Sequence, residues 1–230
     1  MRSTLTLLLA AVAAMPAHAA IVTYQFTATV ATGITEKSGD TGLYNDTMAS
    51  SMAGPLIRVG DIWTGTISYD TNLTLTAYQP EPLEQGSYRM YEGIMRSTLT
   101  DARTGLSYGS NLDYASMLVY DSIPGVSYDA LSINTNAVNT NWESVTFSFF
   151  DSGGGALTDS APPRGLNAFD YDSLTVSYSF WRSSNSDWMQ ATADITSLAL
   201  VTAPVPEPST YAMLGLGLAA LAMTKRFRHA

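Results

Sequence analysis

Val22-Thr23-Tyr24-Gln25-Phe26-Thr27-Ala28-Thr29-Val30 alternates apolar and polar residues without a break. In an extended chain successive side chains point to opposite sides, so Val22, Tyr24, Phe26, Ala28 and Val30 share one face and the threonines and Gln25 share the other. Half of this strand is built to be buried. The same period of two returns in Trp63, Gly65, Ile67 and Tyr69, in Val145, Phe147 and Phe149, in Leu174, Val176, Tyr178 and Phe180, and in Ala191, Ala193 and Ile195. Less regular strands are expected near Tyr88 to Thr100, Leu112 to Tyr120 and Tyr128 to Asn134, giving about eight in all. Turn-forming residues punctuate them at Asp70-Thr71-Asn72, Arg103-Thr104-Gly105, Pro124-Gly125 and Ser152-Gly153-Gly154-Gly155. Strands this short and closely spaced predict an all-β fold, an antiparallel β-sandwich or jelly roll, with a closed barrel as the alternative.

Two long connections remain, Thr32 to Leu56 and Asp151 to Asn167. Connections of this length are functional or mobile, and mobility is the expectation here. The first is expected to hold a short helix near Asn45 to Met52, ended by Gly54-Pro55.

Seven basic against nineteen acidic residues leave the segment 20–204 at −12, against −9 for the whole chain. Such a surface repels phosphate backbones, which disfavours nucleic acid as a partner. The absence of cysteine removes disulfides, thiol nucleophiles and thiolate metal sites. The only histidines, His18 and His229, lie near the two ends, so the body has none. Ser-His-Asp hydrolysis, His-ligated metal and His general-base chemistry go with them. No nucleotide-binding fingerprint appears, and no cofactor is expected.

The two ends carry an address. Residues 1–19 carry Arg2 near their start, continue through an apolar run from Leu5 to Met15 broken only by Thr6, and end on Pro16-Ala17-His18-Ala19. Small residues at Ala17 and Ala19 suit a signal peptidase cutting after Ala19, which makes 1–19 a helical secretion signal. At the other end, Val205-Pro206-Glu207-Pro208-Ser209-Thr210 precedes the uncharged stretch Tyr211 to Met223, and the basic cluster Lys225, Arg226 and Arg228 follows. As a helix, Tyr211 to Met223 rises only about 20 Å, short of a hydrocarbon core of about 30 Å. It suits a transient stay in the inner membrane, with the cationic cluster held on the cytoplasmic side. The prolines flanking Glu207 keep that segment extended and accessible. The expected organisation is a signal peptide at 1–19, a β body at 20–204 and a tail at 205–230.

The order Pro206-Glu207-Pro208, apolar helix, Lys225-Arg226-Phe227-Arg228 resembles the PEP-CTERM sorting signal of Gram-negative bacteria, a segment also labelled an ice-binding protein C-terminal domain. The resemblance implies that Pro206, Glu207 and Pro208 are recognised in trans by exosortase, a membrane-embedded cysteine protease, with the secretion machinery and signal peptidase as earlier partners. It further implies delivery to the cell surface or beyond, and association with exopolysaccharide or biofilm. Val59-Gly60-Asp61 leading into Gly65 to Thr71 is similar to a strand-and-turn pattern common in the bodies of such proteins. The Thr-x-Thr pairs at 27/29, 64/66, 74/76 and 98/100 lack the constant spacing of a solenoid, so the ice-binding label does not describe the body.

Three readings of the body follow. The first is a non-enzymatic surface or matrix protein. The second is a carbohydrate-binding module. Among Trp63, Trp142, Trp181 and Trp188, Trp63 shares a face with Ile67 and Tyr69 and belongs in the core, while Trp181 falls on the Ser173, Thr175, Ser177, Ser179 face. Trp142 and Trp181 are therefore the candidates for sugar stacking. The third is a glycoside hydrolase, which needs two carboxylates across a cleft. Glu81, Glu84, Glu92, Asp113, Asp121, Glu143, Asp170 and Asp172 are eligible, and no pair is singled out. Asp170-Tyr171-Asp172 would place two carboxylates on one face of an extended segment, a candidate Ca²⁺ edge; a solvated strand start is the default expectation.

Overall fold

A computed structural model describes residues 21–40, 42–80, 87–109, 114–122, 128–138 and 141–201. The expected signal peptide, the expected tail helix, the sorting motif and the expected Pro124-Gly125 turn lie outside these residues. All the described residues fall in one unit, Ile21–Thr202.

The alternating segments form strands as their pattern demands. They are β1 (Ile21–Lys37), β2 (Asn45–Thr47), β3 (Ala49–Ser50), β4 (Ile57–Arg58), β5 (Ile62–Asp70), β6 (Thr74–Pro80), β7 (Ser87–Glu92), β8 (Met95–Asp101), β9 (Ser107–Tyr108), β10 (Tyr114–Asp121), β11 (Asp129–Val138), β12 (Asn141–Asp151), β13 (Ser173–Arg182) and β14 (Asp187–Leu200). Twelve of them join one antiparallel sheet in the order β6-β7-β10-β11-β12-β13-β14-β1-β5-β8-β9, with β2 added beside β1; β3 and β4 pair separately. The all-β expectation holds at this level, and the count of about eight is too low.

One sheet supplies both layers of the core by folding over on itself. Phe26 of β1 meets Phe147 of β12 edge-on at 5.1 Å, although two strands separate them in the sheet. Tyr108 of β9 meets Tyr178 of β13 at 5.0 Å, and Ser97 of β8 shares a 2.7 Å hydrogen bond with Thr135 of β11. Val22, Tyr24, Phe26, Ala28 and Val30 are all buried on the inner face. Trp63 is fully buried with Ile67 and Tyr69, as their shared face predicts.

Three expectations need correction. The region 45–52 holds no helix: Asn45–Thr47 pairs with an extension of β1, where Thr35 donates to Asp46 Oδ1 at 2.8 Å, and Ala49–Ser50 pairs with β4. Polar residues with local hydrogen bonds suit a strand edge better than a helix interior. Next, the stretch 88–100 is two strands, divided at Gly93, whose φ of 152° few other residues adopt. Finally, the 151–167 connection is bolted down. Buried Asp129 accepts from Ser122 N at 2.9 Å and Leu157 N at 2.8 Å. Asp151 accepts from the amides of Gly153, Gly155 and Ala156. Three tyrosines from three strands finish the job: Tyr91 donates to Ser160 O, Tyr69 donates to Pro163 O, and the Tyr24 hydroxyl accepts from Leu166 N.

Candidate functional site

The outward faces of β12, β13 and β14 carry a row set by strand register. Trp142 lies opposite Trp181, Trp181 lies opposite Trp188, and Trp188 lies opposite Lys37 of β1. Residues directly opposite in antiparallel strands project to the same side, so three indoles stand side by side at one end of the sheet. Trp181 is 40% exposed and its two neighbours are half-buried. The Tyr44 ring packs edge-on against Trp188 at 5.4 Å, and Lys37 Nζ sits 5.6 Å from the centre of that tyrosine.

The turn beneath the row is fixed by charge and hydrogen bonds. Asp187 accepts from Arg182 Nη1 at 3.1 Å, from Asn185 Nδ2 at 2.7 Å and from Gly39 N at 3.1 Å. Arg182 also donates to Met52 O at 2.8 Å. The pair cancels its own charge, and the apolar platform has Lys37 at one flank and hydroxyl and amide neighbours such as Ser179 and Gln190.

Sequence reasoning singled out Trp142 and Trp181, which the register brings together, and passed over Trp188. The signal was present in Trp181-Arg182-Ser183-Ser184-Asn185-Ser186-Asp187-Trp188. Arginine and aspartate, then two tryptophans, sit symmetrically about a turn, which puts the rings opposite one another.

The eligible carboxylates are scattered. Glu92 accepts from Tyr114 Oη at 2.6 Å, Glu143 accepts from Gly109 N at 3.1 Å, and Glu81, Glu84 and Asp113 lie outside the described residues. Burial, followed by the nearby Asp129 and Asp159 carboxylates, raises the pKa of Asp121. Asp170 and Asp172 do not share a strand face. Asp170 ends a single 3-10 turn, Ala168–Asp170, and accepts from Asn167 Nδ2 at 2.9 Å, whereas Asp172 accepts from Ser152 N and Oγ. The hydrogen bonds from Ser152 lower the Asp172 pKa. Among the described residues no group of three or more His, Cys, Asp or Glu side chains could hold a metal ion.

One acidic cluster has a plain structural role. Arg103 reaches Asp61 through Nε and Nη2, both at 2.9 Å, and its Nη2 also meets Asp101 Oδ2 at 3.2 Å and Leu56 O at 2.9 Å. The Arg103 guanidinium holds the Asp61 carboxyl below the usual range despite burial. The clamp ties β8 to the β4–β5 connection, which gives the Val59-Gly60-Asp61 segment its physical purpose.

The address is decided by the tail. Residues 204–226 match the family model described as the PEP-CTERM protein-sorting motif. The chain carries a PEP-CTERM protein-sorting motif. The motif marks a PEP-CTERM protein for export and exosortase handling, at the cell surface or outside the cell. It covers the end of the chain and leaves the activity of the β body unassigned. No curated protein and no solved structure matches the chain. Among the described residues no helix is long and apolar enough to cross a membrane.

Proposed function

We propose that this chain is a non-catalytic cell-surface or matrix protein whose β body associates with exopolysaccharide once signal peptidase and exosortase have trimmed its ends. The observation that carries the reading is the sorting motif at 204–226, which follows a histidine- and cysteine-free body and is supported by an N-terminal stretch that ends on Ala17-His18-Ala19. The non-catalytic part is supported by the placement of the eligible carboxylates among the described residues: Glu92 ends β7, Asp121 ends β10, Glu143 lies in β12, and Asp170 and Asp172 take separate hydrogen-bond partners before β13.

The test is intact-mass analysis of protein from the medium and from the membrane of an exosortase-bearing host. The expected product begins at Ala20 and lacks the tail. Replacing Pro206, Glu207 and Pro208 together by alanine should leave the basic tail attached and the protein in the membrane fraction. Cytosolic protein with both ends intact would overturn the reading.

A second reading, a carbohydrate-binding module, is favoured by the row of Trp142, Trp181 and Trp188. Retardation in gels containing the host's uncharged polysaccharide, weakened by Trp181→Ala, supports it; free migration in every polysaccharide tested counts against it.

A further inference from the structure

The outward face of the sheet has a second aromatic group, which meets the opposite end of β12 at Phe150 and includes Tyr120 of β10 and Tyr128 just before β11. Tyr120 and Tyr128 pack with ring centres 4.9 Å apart, and Tyr128 and Phe150 do so at 5.1 Å. Tyr128 is 44% exposed and Phe150 is 39% exposed. Trp142 and Phe150 are both on β12, eight residues apart and on the same side, which separates them by about 26 Å along the strand.

Between the two anchors the surface carries small hydroxyls in register. Thr146 and Ser148 of β12 lie opposite Ser177 and Thr175 of β13, and Ser179 is next on the same face of β13. Ser177 shares a 2.9 Å hydrogen bond with Thr192 of β14, and Asn134 donates to Thr146 at 2.6 Å. A hydroxyl carries one donor and two acceptor sites, so each retains capacity for a ligand. On the outward side of these three strands between the anchors, Asp194 is the one charged residue.

We infer that this face is a track for an extended, uncharged polysaccharide lying along the strands and held at both ends, by the tryptophan row and by the Tyr120–Tyr128–Phe150 cluster. The inference rests on the polysaccharide reading of the tryptophan row and adds the direction, the second anchor and the ligand's charge. An aromatic ring offers a flat apolar surface to the C–H face of a sugar, and the hydroxyl rows offer donors and acceptors to its edges. A polyanion would meet a body of net charge −12, and a polycation would find a single carboxylate along the path. A protein partner is the poorer fit, because protein interfaces place their apolar core at the centre and their polar residues at the rim, the reverse of this layout.

The experiment titrates the secreted protein with size-fractionated oligosaccharides, from disaccharide to decasaccharide, made by partial hydrolysis of the producing cell's own uncharged polysaccharide. Affinity should rise about tenfold or more once the chain is long enough to reach both anchors, because the second contact becomes intramolecular. Trp181→Ala should weaken every length, whereas Phe150→Ala should weaken only the long ones, down to the level of the short. Both side chains are substantially exposed, and unchanged urea midpoints confirm that the variants fold. If short and long chains bind alike and Phe150→Ala is silent, the track is refuted while the tryptophan row stands. If no uncharged fraction binds, or only acidic fractions do, both are refuted.

Discussion

Replacing Asp129 by alanine should release the long loop that lies over one end of the folded sheet. Asp129 is fully buried and accepts from the amides of Ser122 and Leu157, residues that are themselves 6% and 8% exposed. Alanine leaves both amides buried without an acceptor, at roughly 1–3 kcal/mol each. Removing a carboxylate from a poorly solvating site offsets part of that loss. The net expectation is about 2–4 kcal/mol, a large fraction of the stability of an ordinary domain. In a chain of this size that lowers the melting temperature by about 10 °C. Urea titration gives the global value, and amide exchange separates the two ways of losing it. If only the loop opens, exchange accelerates across 152–167 while the strands keep their protection. Asp159→Ala is the control, since its exposed carboxylate caps Ala161 N and otherwise only repels Asp121. A midpoint shift worth less than about 1 kcal/mol, with loop exchange unchanged, would refute the account of Asp129 as the principal bolt.

Tyr91→Phe strips the donor from Ser160 O inside the same loop and should cost about 1 kcal/mol in urea titration, with the fold retained. Gly65→Ala should be far worse, about 3 kcal/mol or more, because a Cβ there runs into the Thr98 carbonyl oxygen across the β5–β8 pair and comes within 3.0 Å of the Phe26 ring; soluble yield and urea midpoint read it out. The Asp61 pKa is lowered in the folded state by Arg103, and that of Asp151 by the Gly155 and Gly153 amides. Their stabilisation is therefore present above the unfolded value of about 3.9 and lost as pH falls through the folded values, so the urea midpoint should fall below about pH 4, less steeply in Asp61→Asn. Asp121 has the opposite sign: its raised pKa gives stability at low pH that is lost as pH rises through the folded value, so Asp121→Asn should raise the midpoint near neutrality.

The strands that decide the architecture were legible because one side of each faces the core. Val22 to Val30, Val145 to Phe149 and Leu174 to Phe180 announce themselves by alternation. Elements without that asymmetry were not. In β6 every residue from Thr74 to Tyr78 is exposed, so its pattern carries no inside-outside signal, and β2, β3, β4 and β9 are two or three residues held by their neighbours. The loop at 151–167 read as mobile because its composition is that of a mobile loop. Its fasteners are remote, Asp129 lying 28 residues from Leu157 and Tyr24 lying 142 residues from Leu166, and no local pattern encodes pairings of that kind. The exposure of Trp181 followed from the serines and threonines around it, whereas the row it completes needed the register of three strands.

That row is useful to a ligand only if its rings are held in place before binding, and Asp187 is the residue that holds them. Its carboxylate closes the β13–β14 turn through Arg182 and Asn185 and ties the turn to Gly39 beyond the end of β1. Each side chain that must be ordered on binding costs about 0.5–1.5 kcal/mol, so a loosened turn should weaken binding although no sugar contact has been removed. Asp187→Ala should therefore bind uncharged polysaccharide several-fold more weakly than the parent, with the loss appearing as a less favourable entropy in calorimetry. Trp181→Ala, which removes a contact surface, should lose enthalpy as well. If Asp187→Ala binds like the parent while Trp181→Ala does not, the rings order themselves without help, and the turn matters to the fold alone.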